Sequence, residues 1–355
     1  MTRLQRFLDE TLAPGTIGAL PAGPALVIGA DPAETYALPE EREATLVQPF
    51  RPLFDALAAS GRSALPALGA AGEEAHGLPF ALAIIHPTRN RRETLGRLAA
   101  ALSRLHPEGL LVVDGQKTEG IEALLRQIRK ITPPVAVEAR RHGKVFAVRP
   151  DAALAEAAQG WAEAARPRTN RAGFTAAPGM FSWENVDPGS ALLAERVGPA
   201  LKGRVADLGA GWGWLAARAL EREAVTAIDL IEADHHALEA ARRNIADPRA
   251  RFRWEDVQRL APDTEGFDVI LTNPPFHQDR RARPGLGIGF IAAAARLLKP
   301  RGTLYLVANR HLPYERAMTE HFRNWEIIAE TPAFKLFEAS RPIPPTSGGA
   351  RRRRR

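Results

Sequence analysis

The chain has 355 residues, enough for two domains of ordinary size, with 45% apolar and 25% charged residues. It has no cysteine, which excludes disulfides, zinc thiolate sites and thiol catalysis. The formal net charge is +7, but the six arginines from Arg341 onward carry all but one of those charges, so the folded body is nearly neutral.

No run approaches the roughly 18 apolar residues of a membrane span. The opening MTRLQRFLDETLAPG carries acids and lacks the apolar centre of a signal peptide. A cytoplasmic protein without membrane contact is expected.

In chain order, the first half gives strand and helix patterns in alternation. PALVIGADP (24–32) reads as a buried strand with a turn. ALAIIHPTRN (81–90) is an apolar strand leaving through His86-Pro87-Thr88-Arg89. RLHPEGLLVVDG (104–115) reads as a helix end, Pro-x-Gly, then a strand, and RHGKVFAV (141–148) is a further strand. A helix and a Pro/Gly-rich linker follow, and a domain boundary is placed at 165.

The second half repeats this order. RVADLGA (204–210) is a strand and GWLAARALERE a helix. AVTAIDL is a strand, DHHALEAARRN a helix, and RFRW and FDVILT short strands. GFIAAAARLLK is a helix, TLYLVAN a strand, and LPYERAMTEHF helical. WEIIAE and AFKLFEA suggest a closing hairpin. Strands separated by helices imply a mostly parallel sheet covered on both faces, with ligands at the strands' carboxyl ends. Three motifs of the first half recur in the same order, at offsets of 187, 193 and 191 residues, which suggests an internal duplication. The expected fold is therefore α/β: two tandem Rossmann-like domains, the first (1–165) degenerate and the second (166–340) catalytic. The tail, 341–355, is rich in Pro, Gly, Ser and Arg and reads as disordered; it either holds RNA phosphate or is a solvated arm.

Three motifs carry chemistry. The first is Asp207-Leu208-Gly209-Ala210-Gly211-Trp212-Gly213, where an acid ends a buried strand and glycines alternate. Glycine permits positive φ and close approach of a ligand, and the following helix presents free N–H groups. This suits the methionine end of S-adenosylmethionine better than a dinucleotide, which wants G-x-G-x-x-G. After the next strand Asp229, Glu232 and Asp234 compete for a ribose. Glu232 is favoured, and Asp229 is read as a turn or cap residue. After RFRW, Glu255 or Asp256 is placed to accept from the adenine amino group, and Asp256 is preferred.

The most specific motif is Asn273-Pro274-Pro275-Phe276 after DVILT. The prolines end and stiffen the strand. The Asn273 side-chain oxygen and the Pro274 carbonyl are two fixed acceptors, able to take both hydrogens of an exocyclic amine, and Phe276 can stack on a planar base. His277 either lines the pocket or lies on the surface. In the first half, Val27 and His86-Pro87-Thr88-Arg89 stand where Asp207 and this motif would be.

With these motifs the second half resembles the class I S-adenosylmethionine-dependent methyltransferases. The whole chain is similar to the RsmC/RlmG family of ribosomal RNA guanine-N2 methyltransferases. The stretches that carry the likeness are GMFSWENVDPGSALL (179–193), DLGAGWG, TNPPFHQ, LVANRHLPYE (306–315) and AFKLFEA (333–339). The resemblance implies that Asp207, Gly209, Gly211, Gly213, Glu232 and Asp256 bind the cofactor, with Asn273 at the same pocket. It implies that Asn273, Pro274, Pro275 and Phe276 hold the guanine amine, and that Phe181 and Ser182 lie near the cofactor entrance. Ribosomal RNA or a ribosomal subunit is then the partner, with the small subunit favoured, no metal needed and a monomer favoured. Trp212 and Trp214 depart from the family's smaller loop residues, and the loop from 278 is rich in arginine, with Arg280, Arg281 and Arg283 available to phosphate. The rival readings are another Asn-Pro-Pro methyltransferase, acting on adenine N6 or protein glutamine, and an RNA-binding assembly protein with a vestigial site.

Overall fold

A computed structural model describes residues 1–13, 16–38, 42–69, 79–262, 264–275 and 284–344. The chain divides into two compact units. The first comprises Met1–Arg168 with Ala177–Met180, and the second Thr169–Ala176 with Phe181–Arg355.

The first unit begins with α1 (Arg3–Thr11), β1 (Ala25–Ile28), β2 (Ala44–Val47), α2 (Arg51–Ala59) and β3 (Phe80–Ile85). It continues with α3 (Arg91–Leu102), β4 (Leu105–Gln116), α4 (Ile121–Arg129), β5 (Ala136–Arg140), β6 (Gly143–Val148) and α5 (Ala152–Ala165). Its sheet order is β2-β1-β3-β4-β6-β5. The first four strands are parallel and the last two antiparallel. Strand side chains alternate between two apolar layers, one shared with α3, α4 and α5 and the other with α1 and α2.

A short ribbon follows, β7 (Arg168–Thr169) with β8 (Thr175–Ala176). Then come α6 (Pro188–Val197), β9 (Gly203–Leu208), α7 (Trp214–Leu220), β10 (Val225–Glu232), α8 (His235–Asn244), β11 (Ala250–Trp254) and β12 (Phe267–Thr272). The chain closes with α9 (Pro284–Leu297), β13 (Leu298–Asn309), α10 (Glu315–His321), β14 (Phe322–Glu330) and β15 (Phe334–Pro342). The sheet order is β11-β10-β9-β12-β13-β15-β14, with the last two strands forming the expected antiparallel hairpin. In β13, Leu304, Leu306 and Ala308 face the layer of α9 and α10. Tyr305 and Val307 face that of α6, α7 and α8. Burial on both faces explains the near-continuous apolar runs that marked these strands in the sequence.

The two sheets repeat each other in register. The β3–β4 pair sets Phe80 opposite Leu105, slips, and resumes with Leu82 opposite Leu110. The β12–β13 pair sets Phe267 opposite Leu298, slips, and resumes with Val269 opposite Thr303. These are the same positions at the offsets of the sequence motifs. Each slip absorbs the Pro-x-Gly segment, which lies inside a long strand and not in a turn before it. Gly302 makes this possible, because a Cβ there would come within 2.7 Å of the Phe267 carbonyl oxygen. Among the described residues, the first sheet has no counterpart of β11.

Candidate active site

Strands β11, β10, β9 and β12 are neighbours and parallel, so their carboxyl ends share one edge of the sheet. The residues singled out in the sequence fall along that edge in strand order. Asp256 follows β11, Glu232 closes β10, Asp207 is the penultimate residue of β9, and Asn273 follows β12.

Asp207 is 1% exposed and lies in register between Leu230 and Leu271. Its Oδ2 is buried and has no hydrogen-bond partner among the described residues. Burial, and then the charge of Glu232, push its pKa up to about 7, against a hydrogen bond from the Ala216 backbone. A carboxyl oxygen left without a partner at the end of a buried strand is costly unless something cationic or hydrogen-donating meets it.

Glu232 ties the end of β10 to the glycine loop. Its Oε2 accepts from Gly211 N at 2.8 Å, and its Oε1 from Ala233 N at 2.7 Å and Asp234 N at 2.9 Å. Burial raises its pKa, and these backbone donors oppose the shift. Asp234, a competitor for the same role, is the cap of α8 and accepts from His236 N and Ala237 N. Asp229 is not the turn or cap residue expected from the sequence. It sits inside β10, 2% exposed, with Arg204 at 3.2 Å and Arg253 at 3.5 Å. The strand runs two residues beyond the AVTAIDL pattern, to Glu232, and the paired guanidiniums compensate the buried charge of Asp229 inside it. Asp256 accepts from Gln258 N at 3.0 Å and lies 3.7 Å from Arg259 Nε.

Gly209, Gly211 and Gly213 all adopt positive φ, at 75°, 54° and 87°. Their surroundings differ. A Cβ at Gly211 would meet nothing within 4 Å, so this is where the loop is open to a ligand. A Cβ at Gly213 would come within 3.0 Å of Ala241 and Ile245, and its N–H is bonded to the Ala210 carbonyl. Gly213 therefore lets α7 pack against α8. The two large loop residues are accommodated by turning away. Trp212 is buried, its indole Nε1 donating to the Phe181 carbonyl at 2.9 Å and its ring tilted against Phe174. Trp214 opens α7 and packs against the apolar layer of α6 to α8. Phe181 itself is 58% exposed, and Ser182 has a positive φ of 48°.

Asn273 follows the buried Thr272, whose hydroxyl donates to the Leu208 carbonyl at 2.8 Å and so locks the ends of β12 and β9 together. The Asn273 amino group donates to Asp187 Oδ2 at 2.7 Å and to Ser190 Oγ at 2.9 Å. Its Oδ1 is buried with no partner among the described residues. Pro274 is buried and Pro275 exposed. Phe276, His277, Arg280, Arg281 and Arg283 lie outside the described residues, as does the tail from 345.

Sequence reasoning missed Asp187 and Ser190. The Asp-Pro-Gly-Ser string announces a helix start, with an acidic cap and Pro at the first position. Nothing in the string indicates that the cap also meets a residue 86 positions away.

The Methyltransferase small domain family matches residues 171–338, which span every residue of this edge. The ribosomal RNA small subunit methyltransferase C of Shewanella oneidensis is 29% identical over 245 residues, 67% of this chain and 70% of that protein. Its counterpart in Hahella chejuensis is 31% identical over 232 residues, 64% of this chain and 68% of that protein. The chain belongs to the ribosomal RNA small subunit methyltransferase C family. The fold agrees. The T. thermophilus 16S rRNA N2 G1207 methyltransferase (RsmC), solved in complex with AdoMet and guanosine, superposes with a TM-score of 0.72 at 24% identity, over 94% of this chain and 91% of that one. As in that family, the chain is α/β with tandem methyltransferase-like domains. No helix among the described residues is long and apolar enough to cross a membrane.

Proposed function

We propose that the chain transfers a methyl group from S-adenosylmethionine to the exocyclic N2 amine of a guanine in small-subunit ribosomal RNA, as a soluble cytoplasmic enzyme. The observation that carries this reading is the buried Oδ1 of Asn273 at the end of β12, one strand from the buried Oδ2 of Asp207, neither with a hydrogen-bond partner among the described residues.

The residues present fit the cofactor. Asp207 offers Oδ2 to the cationic amino group of its methionine end. Gly211 leaves room for close approach beside it. Glu232 Oε2 accepts one N–H and keeps a lone pair for a ribose hydroxyl. Asp256 stands one strand further out, at the adenine end. Read from β11 to β12, the edge follows the order adenine, ribose, methionine, amine. When bound, the cofactor supplies a methyl group on a sulfonium centre, an electrophile that needs only a lone pair.

The protein's task is to aim that lone pair. Asn273 Oδ1 and the Pro274 carbonyl accept the two amine hydrogens, which turns the nitrogen lone pair out of conjugation with the ring. As the nitrogen gains positive charge, both acceptors strengthen their hold. Catalysis thus rests on orientation and electrostatics: the new N–C bond forms as the S–CH3 bond breaks, and the cationic methylated amine then loses one proton to water, which neutralises the product. Phe276 is assigned to stack on the flipped base. The first unit, which has Val27 in place of Asp207, is assigned to scaffolding or RNA recognition. The relatives' names support small-subunit ribosomal RNA as the substrate, and the guanosine complex of the T. thermophilus 16S rRNA N2 G1207 methyltransferase supports the choice of guanine.

Nucleoside mass spectrometry of ribosomal RNA from cells with and without this chain tests the reading. One N2-methylguanosine should disappear from the small subunit and return on complementation. An unchanged nucleoside profile would exclude the substrate. The Asn273→Ala chain should bind cofactor but fail to restore the nucleoside.

A further inference from the structure

We propose that Asp187 and Ser190 are positioning residues that fix the orientation of the Asn273 carboxamide, so that its oxygen and not its amino group faces the reacting amine. The inference rests on the reading of Asn273 as an amine acceptor. A primary amide is nearly symmetric in shape, and both orientations fit the same cavity. Only one has an acceptor where an amine needs it; the reverse presents N–H to N–H. Something must break the symmetry.

Asp187 does so by chemistry. A carboxylate accepts hydrogen bonds and donates none. At 2.7 Å from Oδ2, the Asn273 amide can present only its amino group; flipping it would bring two oxygens into contact. Ser190 Oγ, at 2.9 Å, takes the second amino hydrogen. Both amino hydrogens are thus held on one side, and Oδ1 is left as a buried acceptor with no partner among the described residues.

The carboxyl group is itself fixed. Asp187 caps α6, its Oδ2 accepting from Ser190 N at 2.8 Å, and Pro188 sets the first helical φ. Gly189 completes the arrangement. A Cβ at that position would come within 3.0 Å of both Asp187 Oδ2 and the Phe334 ring, so any side chain would push the carboxyl group aside. The Asp-Pro-Gly-Ser string thus serves as a helix cap and as the brace of a residue on another strand.

Asp187→Asn separates these roles. Asparagine caps helices about as well as aspartate. It both donates and accepts, however, so it no longer dictates which way Asn273 points. Methyl transfer to small ribosomal subunits lacking the modification should fall about 10- to 100-fold in turnover, less than the roughly 100- to 1,000-fold of losing a preorganised polar contact outright, because the Asn273 oxygen is misdirected and not removed. The thermal midpoint and the calorimetric affinity for S-adenosylmethionine should stay at wild-type values. Adding Asp187→Asn to Asn273→Ala should cost nothing further. In the protein without cofactor, the Asn273 side-chain amide protons, resolved by selective 15N-asparagine labelling, should be protected from exchange and lose that protection in Asp187→Asn. If Asp187→Asn lowers the thermal midpoint, Ser190→Ala carries the test, because it leaves the Asp187 cap in place. Full turnover in both variants, beside an inactive Asn273→Ala, would overturn the positioning role and leave the proposed function standing. An Asn273→Ala enzyme with wild-type turnover would instead remove the acceptor reading itself.

Discussion

Glu232 and Gln48 occupy the same register position in two copies of one turn. In each sheet the first two strands pair so that Val47 and Ile231 are equivalent. In each, the loop glycine and the next residue donate to that residue's carbonyl: Gly29 and Ala30 to Val47, Gly209 and Ala210 to Ile231. The side chain that follows is Gln48 in one and Glu232 in the other. Glu232 holds Gly211 N. Gln48 spends itself inward, donating to the Ala30 carbonyl and accepting from Phe50 N. The donor equivalent to Gly211 N, on Asp31, goes to the Tyr36 hydroxyl, which also meets His86. The first copy's groups are thus satisfied internally. Titration with S-adenosylmethionine should give one site per chain, both in the wild type and in Gln48→Glu. Glu232→Gln should weaken that one site about tenfold or more. A stoichiometry near two would contradict the assignment of a single cofactor site.

Asp207 makes the stability of the cofactor-free protein depend on pH. Its folded pKa, about 7, lies above the roughly 3.9 of an unfolded aspartate. Between those values the folded state holds more protons than the unfolded one. The contribution of this group to stability is therefore complete below about pH 4 and is lost as pH rises through 7. Asp207→Asn has no such titration. Relative to wild type, the variant should gain about 3 kcal/mol from pH 5 to pH 8, roughly two of the three pKa units, and the gain should level off above pH 7. Urea titrations at several pH values read this directly, and a pH-independent difference would show that Asp207 ionises normally. Near pH 6, binding of the cationic cofactor to wild type should release a proton. This is measurable as a dependence of calorimetric heat on buffer ionisation enthalpy.

The strands and the four carboxyl-end residues were legible because two-sided burial writes apolar runs and glycine turns into the sequence. Ile270, Leu271 and Thr272 could only be a buried strand, and Asn273-Pro274 only its exit. The burial of Asp229 inside β10 was not legible, because Arg204, which compensates it, comes from the neighbouring strand. Nor was the brace on Asn273, since a helix cap has the same local signature whatever it touches across the fold. The roles of the three loop glycines were likewise indistinguishable by spacing alone.

Those glycines should separate by mutation. Gly211→Ala places its Cβ in open space and pays mainly for positive φ, about 1–2 kcal/mol. Gly213→Ala pays the same and also presses on Ala241 and Ile245. It should lose about 1–3 kcal/mol more through overpacking. Cofactor affinity should rank the other way, with Gly211→Ala the more damaging if the cofactor approaches over its open face as proposed. Thermal unfolding and calorimetry on the two variants check both orders. Equal effects in both assays would mean that the loop acts as one unit.

Asn244 offers the last test, because it joins the ribbon before the second unit's sheet to the glycine loop. Its Nδ2 donates to the carbonyls of Thr175 and Trp212, each at 2.9 Å, and its Oδ1 accepts from Thr175 N at 2.7 Å. Trp212 in turn holds the Phe181 carbonyl. One side chain at the end of α8 therefore positions both the residues leading to Phe181 and the backbone between Gly211 and Gly213. Asn244→Ala leaves three partners short of a bond, at about 1–3 kcal/mol for those kept from water. Asn244→Asp keeps the acceptor for Thr175 N but sets a carboxylate against two carbonyls, so it should be at least as destabilising. Because Asn273, the proposed acceptor, is untouched, the alanine variant should raise the KM for S-adenosylmethionine more than it lowers kcat. A fall in kcat with an unchanged KM would show that the ribbon acts on the reacting amine and not on the cofactor loop.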